Sequence, residues 1–486
     1  MTTTTADSAP EPIASIKPLR LPEKLSYGLG DFASCLYWNT LKFLNYFYTD
    51  VFGLLPQHAK NLAWFRLIDA FFDPVMGMLA DRTKTRWGKF RPYFVWMCLP
   101  LAMIGVLTFS TPHLSYAGKL AWAIITYNGL MLIYTAINIP YTALMGVITT
   151  NPLDRTFLSS IKYVGAFAGG TLAGTFILQA VAPHGWLGAT TEAKGWQIAF
   201  VLIGIVACLC FLGMFFMTRE RVEPPPAQET SVKRDLKDLV TNGPWLILVA
   251  TTVTFILFNA LPGNTYIYYF KYFVGTQLVH LPNFLPFGWG GEHSLTFRGL
   301  TSGYTGLNQG ASLAGAMLLP VFVKILGRKG TFMVSMVVAI VCTAAFYFLR
   351  PTQILPIFGL GLVYAISSGP IIALLMTNYA DSADYGEFMK SRRATGLIFS
   401  ACILTQKAGW AFAGWLGLDL QASSGFVANQ EQTPQSLRML VLLMSLIPAA
   451  FGVLTMICFA FYPLHEGRVA EIGAELNRRR SAAQAQ

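Results

Sequence analysis

Apolar stretches of about 20 residues recur from residue 29 to residue 462 with only short polar gaps between them. A stretch of that length crosses the hydrocarbon core of a bilayer as a helix, because a helix satisfies its own backbone donors and acceptors where no water can. Taken in order, the stretches give twelve spans: 29 to 53, 57 to 80, 92 to 111, 119 to 149, 156 to 183, 196 to 217, 244 to 274, 300 to 326, 331 to 350, 353 to 379, 394 to 420 and 437 to 462. Composition agrees, with 54% hydrophobic and only 12% charged residues over 486 positions. A soluble chain of that length divides into several domains with polar surfaces. The expected class is an all-α membrane protein with two six-helix halves.

Charge orients the spans. The net charge of +11 would suggest nucleic acid in a soluble chain, but here the basic residues sit in alternate connections, so no nucleic-acid partner is expected. One connection carries Arg82, Lys84, Arg86, Lys89 and Arg91, and the central one carries Arg219, Arg221, Lys233, Arg234 and Lys237. Arg328 and Lys329, Lys390, Arg392 and Arg393, and Arg478, Arg479 and Arg480 fall on the same side. The intervening connections carry far less, among them Lys60, Lys119, Lys194 and Arg298. Positive residues stay inside, so both termini are expected in the cytoplasm and the chain in a bacterial inner membrane. The domain reading is a disordered tail at 1–25 without an apolar signal region, a six-helix bundle at 26–217, a cytoplasmic linker at 218–243, a second bundle at 244–462 and a tail at 463–486. All seven cysteines lie in apolar spans and read as small core residues. The outer connection Gly275 to Thr301 either caps the extracellular mouth or is a variable insertion.

Chemistry concentrates between Arg66 and Pro92. Asp69 and Asp73 lie one turn apart on an apolar helix, about 6 Å from each other on one face. A carboxylate in hydrocarbon costs about 3 kcal/mol, so both must face a bundle interior, a water-filled cavity or a cation. Three further charges lie within spans, Lys42, Lys162 and Lys407. Lys42 lies eight residues below Asp50 and either snorkels outward or adds positive charge to the cavity. Lys271, among tyrosines at a span end, reads as an interface anchor. Pro140 removes a backbone hydrogen bond inside the fourth span, beside Asn138.

Several motifs taken together carry a family resemblance: SYGLGDFAS (Ser26 to Ser34), FYTDVFGL (Phe47 to Leu54), RLIDAFFDPVMG, GMLADR (Gly77 to Arg82), DRTKTRWGKFRP, NIPYTALMGVIT (Asn138 to Thr149) and DYGEFMKSRRATG (Asp384 to Gly396). The chain resembles the glycoside-pentoside-hexuronide:cation symporters, relatives of melibiose permease in the major facilitator superfamily. The resemblance implies a twelve-helix fold importing a sugar, glycoside or short oligosaccharide with a proton or sodium, and no other cofactor. It places the cation site on Asp69, Asp73 and Thr135, the two aspartates being the metal ligands if sodium is used. Sodium-using members have Asn where this chain has Phe72; one oxygen is missing, which favours a proton. It also points to a substrate site near Asp31, Cys35, Trp38, Asn39, Lys42, Asn138, Thr142, Lys162, Lys407 and Trp410; Lys407 and, within about one position, Lys162 match basic residues of the family that can pair with Asp69 and Asp73 across the cavity, and Lys42, if it faces that cavity, suits an acidic sugar such as a uronide. Cys35 and Asn138 stand where the melibiose-permease branch is acidic, and Asp31 either takes over part of that role or organises the helix start. The inside gate is expected at Asp81, Arg82, Asp381, Asp384, Glu387 and Arg393, paired when the carrier faces outward.

Other functions weigh less. A lysolipid transporter needs a lipid-facing cleft with fewer polar residues, and a non-transporting sensor should lose the acidic pair. No triad, metal cluster or phosphate loop supports an intramembrane enzyme. The expected partners are a small sugar, the coupling cation and the lipid bilayer, with the chain acting as a monomer.

Overall fold

The computed structural model describes residues 19–62, 66–149, 152–221, 241–281, 291–390 and 395–464 and parts of 467–478; within helices some side chains, including those of Asp69 and Asp81, lie outside the described set. The helices are α1 (Leu21–Leu41), α2 (Arg66–Arg82), α3 (Pro92–Thr108), α4 (Tyr116–Ile148), α5 (Pro152–Ala180), α6 (Glu192–Met217) and α7 (Gly243–Tyr268). The helical run Phe297–Ala345 is broken at Gly327, whose φ of 70° ends one helix and starts the next, giving α8 (297–326) and α9 (328–345). Then follow α10 (Ile354–Lys390), α11 (Thr395–Ser423), α12 (Pro434–Met444) and α13 (Leu446–Ala460), with short helices at Leu44–Tyr46 and Pro56–Leu62. Among the described residues, seven helices are long and apolar enough to cross a membrane.

Local chemistry sets the helix starts. Side chains of Ser115, Thr191, Asn242, Thr296 and Thr433 accept hydrogen bonds from backbone N–H groups three residues on, which caps α4, α6, α7, α8 and α12. Pro92, Pro244 and Pro434 occupy first-turn positions, where a missing N–H costs nothing. α4 continues through Pro140. α1 starts at Leu21, eight residues before the apolar run, because the polar LPEKLSYG segment is helical too; its Glu23 is buried and bonded to Arg221 at 2.8 Å.

The buried side chains gather into separate cores. The first draws mainly on residues between Leu19 and Phe215, the second on residues between Trp245 and Leu476. Within the first, α1 and α5 touch backbone to backbone: a Cβ on Gly165 would lie 2.1 Å from the carbonyl oxygen of Gly28, and one on Gly169 2.3 Å from that of Phe32. α8 and α10 meet the same way in the second, through Gly315 and Gly369. Leu464, Ile472 and Leu476 pack into the second core, so part of the segment read as a tail is docked.

The loop in RWGKFRP is built around one glycine. Gly88 has a φ of 109°, and a Cβ there would fall 2.4 Å from the Glu220 carboxylate. That carboxylate accepts from the backbone N–H groups of Lys89, Phe90 and Arg91 at 2.8, 2.8 and 3.1 Å, tying this connection to the end of α6. The connection Gly275 to Thr301 holds a two-stranded antiparallel hairpin, β1 (Gln277–Leu281) with β2 (Gly291–Leu295), in register Gln277 to Leu295 and Leu281 to Gly291. An all-helical expectation missed it.

Candidate functional site

Asp73 is a point where the two cores meet through charge. Its Oδ1 accepts a hydrogen bond from the Thr135 hydroxyl of α4 at 3.1 Å. Both carboxylate oxygens accept from the Lys407 ammonium of α11, at 2.8 and 2.6 Å. α2 and α4 contribute to the first core and α11 to the second. The two charged side chains are 17% and 18% exposed, sheltered but not dry. An exposed pair is worth under about 1 kcal/mol, whereas removing one partner of a buried pair costs about 3 kcal/mol or more; this pair lies toward the second case. Asp69 lies one turn before Asp73 on α2, with its side chain outside the described residues. Phe72 packs against the first core and offers no oxygen.

Beside the acidic helix is a partly open polar face. Trp38 of α1 is 43% exposed, and its ring centroid lies 5.6 Å from that of Tyr134 on α4. Asn138 donates from Nδ2 to the Tyr134 hydroxyl at 2.9 Å, and the exposed Thr142 hydroxyl donates to the Asn138 carbonyl at 2.9 Å. An aromatic platform next to amide and hydroxyl groups is what a hydroxyl-rich ligand needs. Sequence reasoning missed Tyr134, which joins Trp38 to Asn138. On α1, Asn39 donates to the Cys35 carbonyl at 3.1 Å, and the Lys42 ammonium just beyond donates to Asn39 Oδ1 at 2.7 Å. Lys42 therefore points back along α1 and away from Asp50, onto an Asn39 amide that borders Gly170 of α5 and Gln309 of α8.

Two assignments change. Lys162 meets Tyr141 and Asp31 among the described residues, not Asp73: its ammonium lies 5.6 Å from the Tyr141 ring centroid and within electrostatic reach of Asp31, because its position on α5 faces α1 and α4. Trp410, partly buried and three residues beyond Lys407 on α11, packs against an aliphatic cluster that includes Ile256, Leu261 and Leu443. Lys271 is not an interface anchor. Its ammonium pairs with Asp50 at 2.6 Å, and the Asp50 side chain is 1% exposed.

That pair belongs to a network at the end of the molecule opposite Glu23 and Arg221. The Tyr272 hydroxyl also donates to Asp50. Thr49 and Tyr268 share a hydrogen bond at 2.9 Å. Glu192 at the start of α6 accepts from Tyr46 at 3.0 Å and from Arg298 at the start of α8 at 2.6 Å. Asp50 and Lys271 each sit in a short π-helical turn, Phe47–Val51 and Tyr269–Val274. At the other end, among the described residues, Arg221 pairs with Glu23 in the first core and Arg328 with Asp381 at 3.0 Å in the second. Asp381 thus bonds α9 to α10 inside the second core. Asp384 and Glu387 follow it on α10, both partly buried, and Arg82 is exposed at the end of α2. Asp81's side chain and Arg393 lie outside the described residues.

A sequence model of the family described as MFS/sugar transport protein matches residues 26–466. The chain belongs to this family. The chain is 33% identical over 446 residues to the inner membrane symporter YicJ of Escherichia coli K12, covering 90% of this chain and 91% of that one. It is 31% identical over 463 residues to the isoprimeverose transporter of Lactiplantibacillus pentosus, covering 94% and 92%. These matches bear out the resemblance to glycoside and cation symporters. Among solved structures, a bacterial homologue of the human lysosomal transporter Spinster superposes with a TM-score of 0.63 over 92% of this chain and 97% of its own, at 14% identity, a likeness of fold. As a member of the MFS/sugar transport family, the chain is an integral membrane transporter and not an enzyme.

Proposed function

We propose that the protein is a secondary active symporter with twelve spanning helices in two halves, which imports a sugar or glycoside together with a proton by alternating access. The observation that carries this reading is the Asp73 carboxylate, held by Thr135 from one core and by Lys407 from the other. A cation arriving at Asp73 competes with the Lys407 ammonium for the same oxygens, so loading the ion weakens a tie between the cores. Protonation has the same effect by removing the charge that Lys407 answers. Coupling then follows from electrostatics alone. Phe72 supports the proton over sodium, which needs several oxygens around it.

Names of relatives support the substrate class. YagG of Escherichia coli is called a putative glycoside/cation symporter and another relative a glucuronide carrier protein homologue, at 31% and 29% identity. A third, from Salmonella typhimurium, is called a putative sulfoquinovose importer, at 26%. Glucuronides and sulfoquinovose are acidic, and Lys42 lies just past α1, four residues after Trp38, whose ring meets the Tyr134 that Asn138 bonds. A charge-assisted hydrogen bond from Lys42 to such a ligand is worth roughly 1.5 to 3 kcal/mol, one to two decades of affinity.

Uptake into inside-out-free, sealed vesicles tests the reading. An inward proton gradient is expected to drive accumulation of sugar, with no further stimulation by sodium at fixed pH. Strong sodium stimulation under those conditions would replace the proton as the coupling ion. With a neutral sugar and its uronate compared, Lys42→Gln is expected to weaken the acid about tenfold or more and leave the neutral sugar unchanged. Equal losses on both ligands would remove Lys42 from substrate binding.

A further inference from the structure

We infer that Asn429, in the connection between α11 and α12, is the latch that holds the Asp50 end of the carrier closed. Its side-chain Nδ2 donates to the Asp50 backbone carbonyl at 2.7 Å, joining positions 379 apart in sequence. Its Oδ1 accepts from the Lys271 ammonium at 2.7 Å, and its backbone N–H donates to the Tyr272 hydroxyl at 2.9 Å. One residue therefore fixes Lys271 and Tyr272, which reach the buried Asp50 carboxylate together with the neighbouring Thr49 hydroxyl, and also grips the Asp50 backbone. Its own backbone is committed to this geometry, since φ is 60°, a left-handed conformation that Asn tolerates and most residues do not.

The latch is reversible for a physical reason. A sheltered ion pair such as Asp50 with Lys271 recovers in mutual attraction roughly what it loses in hydration, so alone it holds the closed state only weakly. When this end opens, water solvates both charges and the electrostatic loss is largely made good. The neutral Asn429 bonds tip that near balance toward closure, because they orient Lys271 and Tyr272 before Asp50 arrives. Arg298 with Glu192 makes a second tie at the same end, and the ion pairs described at the other end stay within one core.

Asn429→Gly isolates the side chain, because glycine accepts the positive φ that alanine would strain. The measurement is the distance between spin labels on Leu114→Cys and Phe348→Cys, two exposed sites on different cores, in a background with the seven native cysteines replaced. The unsubstituted carrier is expected to give one short distance, and Asn429→Gly to raise a longer-distance population about tenfold. Asn429→Asp, which accepts the positive φ but puts an oxygen where Nδ2 donates to the Asp50 carbonyl, is expected to do the same and serves as the deciding variant if Asn429→Gly does not yield folded protein. A distance distribution unchanged by the deciding variant overturns the latch. The readout needs neither sugar nor ion, so it stands or falls separately from the proposed substrate and coupling ion.

Discussion

Asp73→Asn is expected to reduce gradient-driven accumulation of sugar at least a hundredfold while leaving exchange of sugar across the membrane measurable. The substitution keeps the volume of the side chain, and the amide oxygen still accepts from Thr135. It removes the only properties that coupling requires: a charge that Lys407 can neutralise and a site that a proton can occupy. An uncoupled carrier can still rock with sugar bound, so exchange survives where concentration against a gradient does not. Parallel measurements of accumulation and of exchange in the same vesicles separate the two. Wild-type accumulation by Asp73→Asn would end the assignment of coupling to this residue.

Lys407→Gln is expected to lower the stability of the purified carrier by about 3 kcal/mol, because it leaves the sheltered Asp73 carboxylate without its counter-charge. The double variant Asp73→Asn with Lys407→Gln is expected to regain most of that loss, since two neutral amides can bond to each other and to Thr135 at this spacing. Thermal unfolding of the four proteins forms a cycle. Losses that simply add would mean the two residues do not act as a unit, whereas recovery in the double variant measures their coupling directly. The same cycle read on transport should separate the roles: Lys407→Gln frees the cores from a tie that the ion normally breaks, so sugar exchange should no longer respond to pH.

Asp73 and Lys407 were legible from sequence because the membrane makes them so. A charge inside an apolar span is costly enough that its presence alone marks a site, and two of opposite sign invite pairing. Lys162 had the same mark, yet its partner was misjudged, because spacing along a helix says little about which neighbour a side chain meets. Asp50 and Lys271 carried a weaker mark. A charge at the end of an apolar run is ordinarily solvated at the interface, and nothing local tells a pair separated by 221 positions that the fold will bury it. Asn429 carried none, being one polar residue in a polar connection. The start of α1 was missed for the opposite reason, since a helix that docks Glu23 against Arg221 need not be apolar to be ordered.

The π-helical turns at Phe47–Val51 and Tyr269–Val274 make the Asp50 end sensitive to chain length as well as to residue identity. A π turn holds one residue more than an α turn, and removing that residue lets the helix close into ordinary α geometry. Every position beyond it then swings by about 100° around the axis. A single-codon deletion at Phe47, Tyr48 or Thr49 would thus turn Asp50 from Lys271 toward a different neighbour without altering either residue, and a deletion at Tyr269 or Phe270 would turn Lys271 in its own helix. Relatives that differ here by one inserted or missing residue have to be compared by helical phase, because equal letters at aligned columns no longer face the same way.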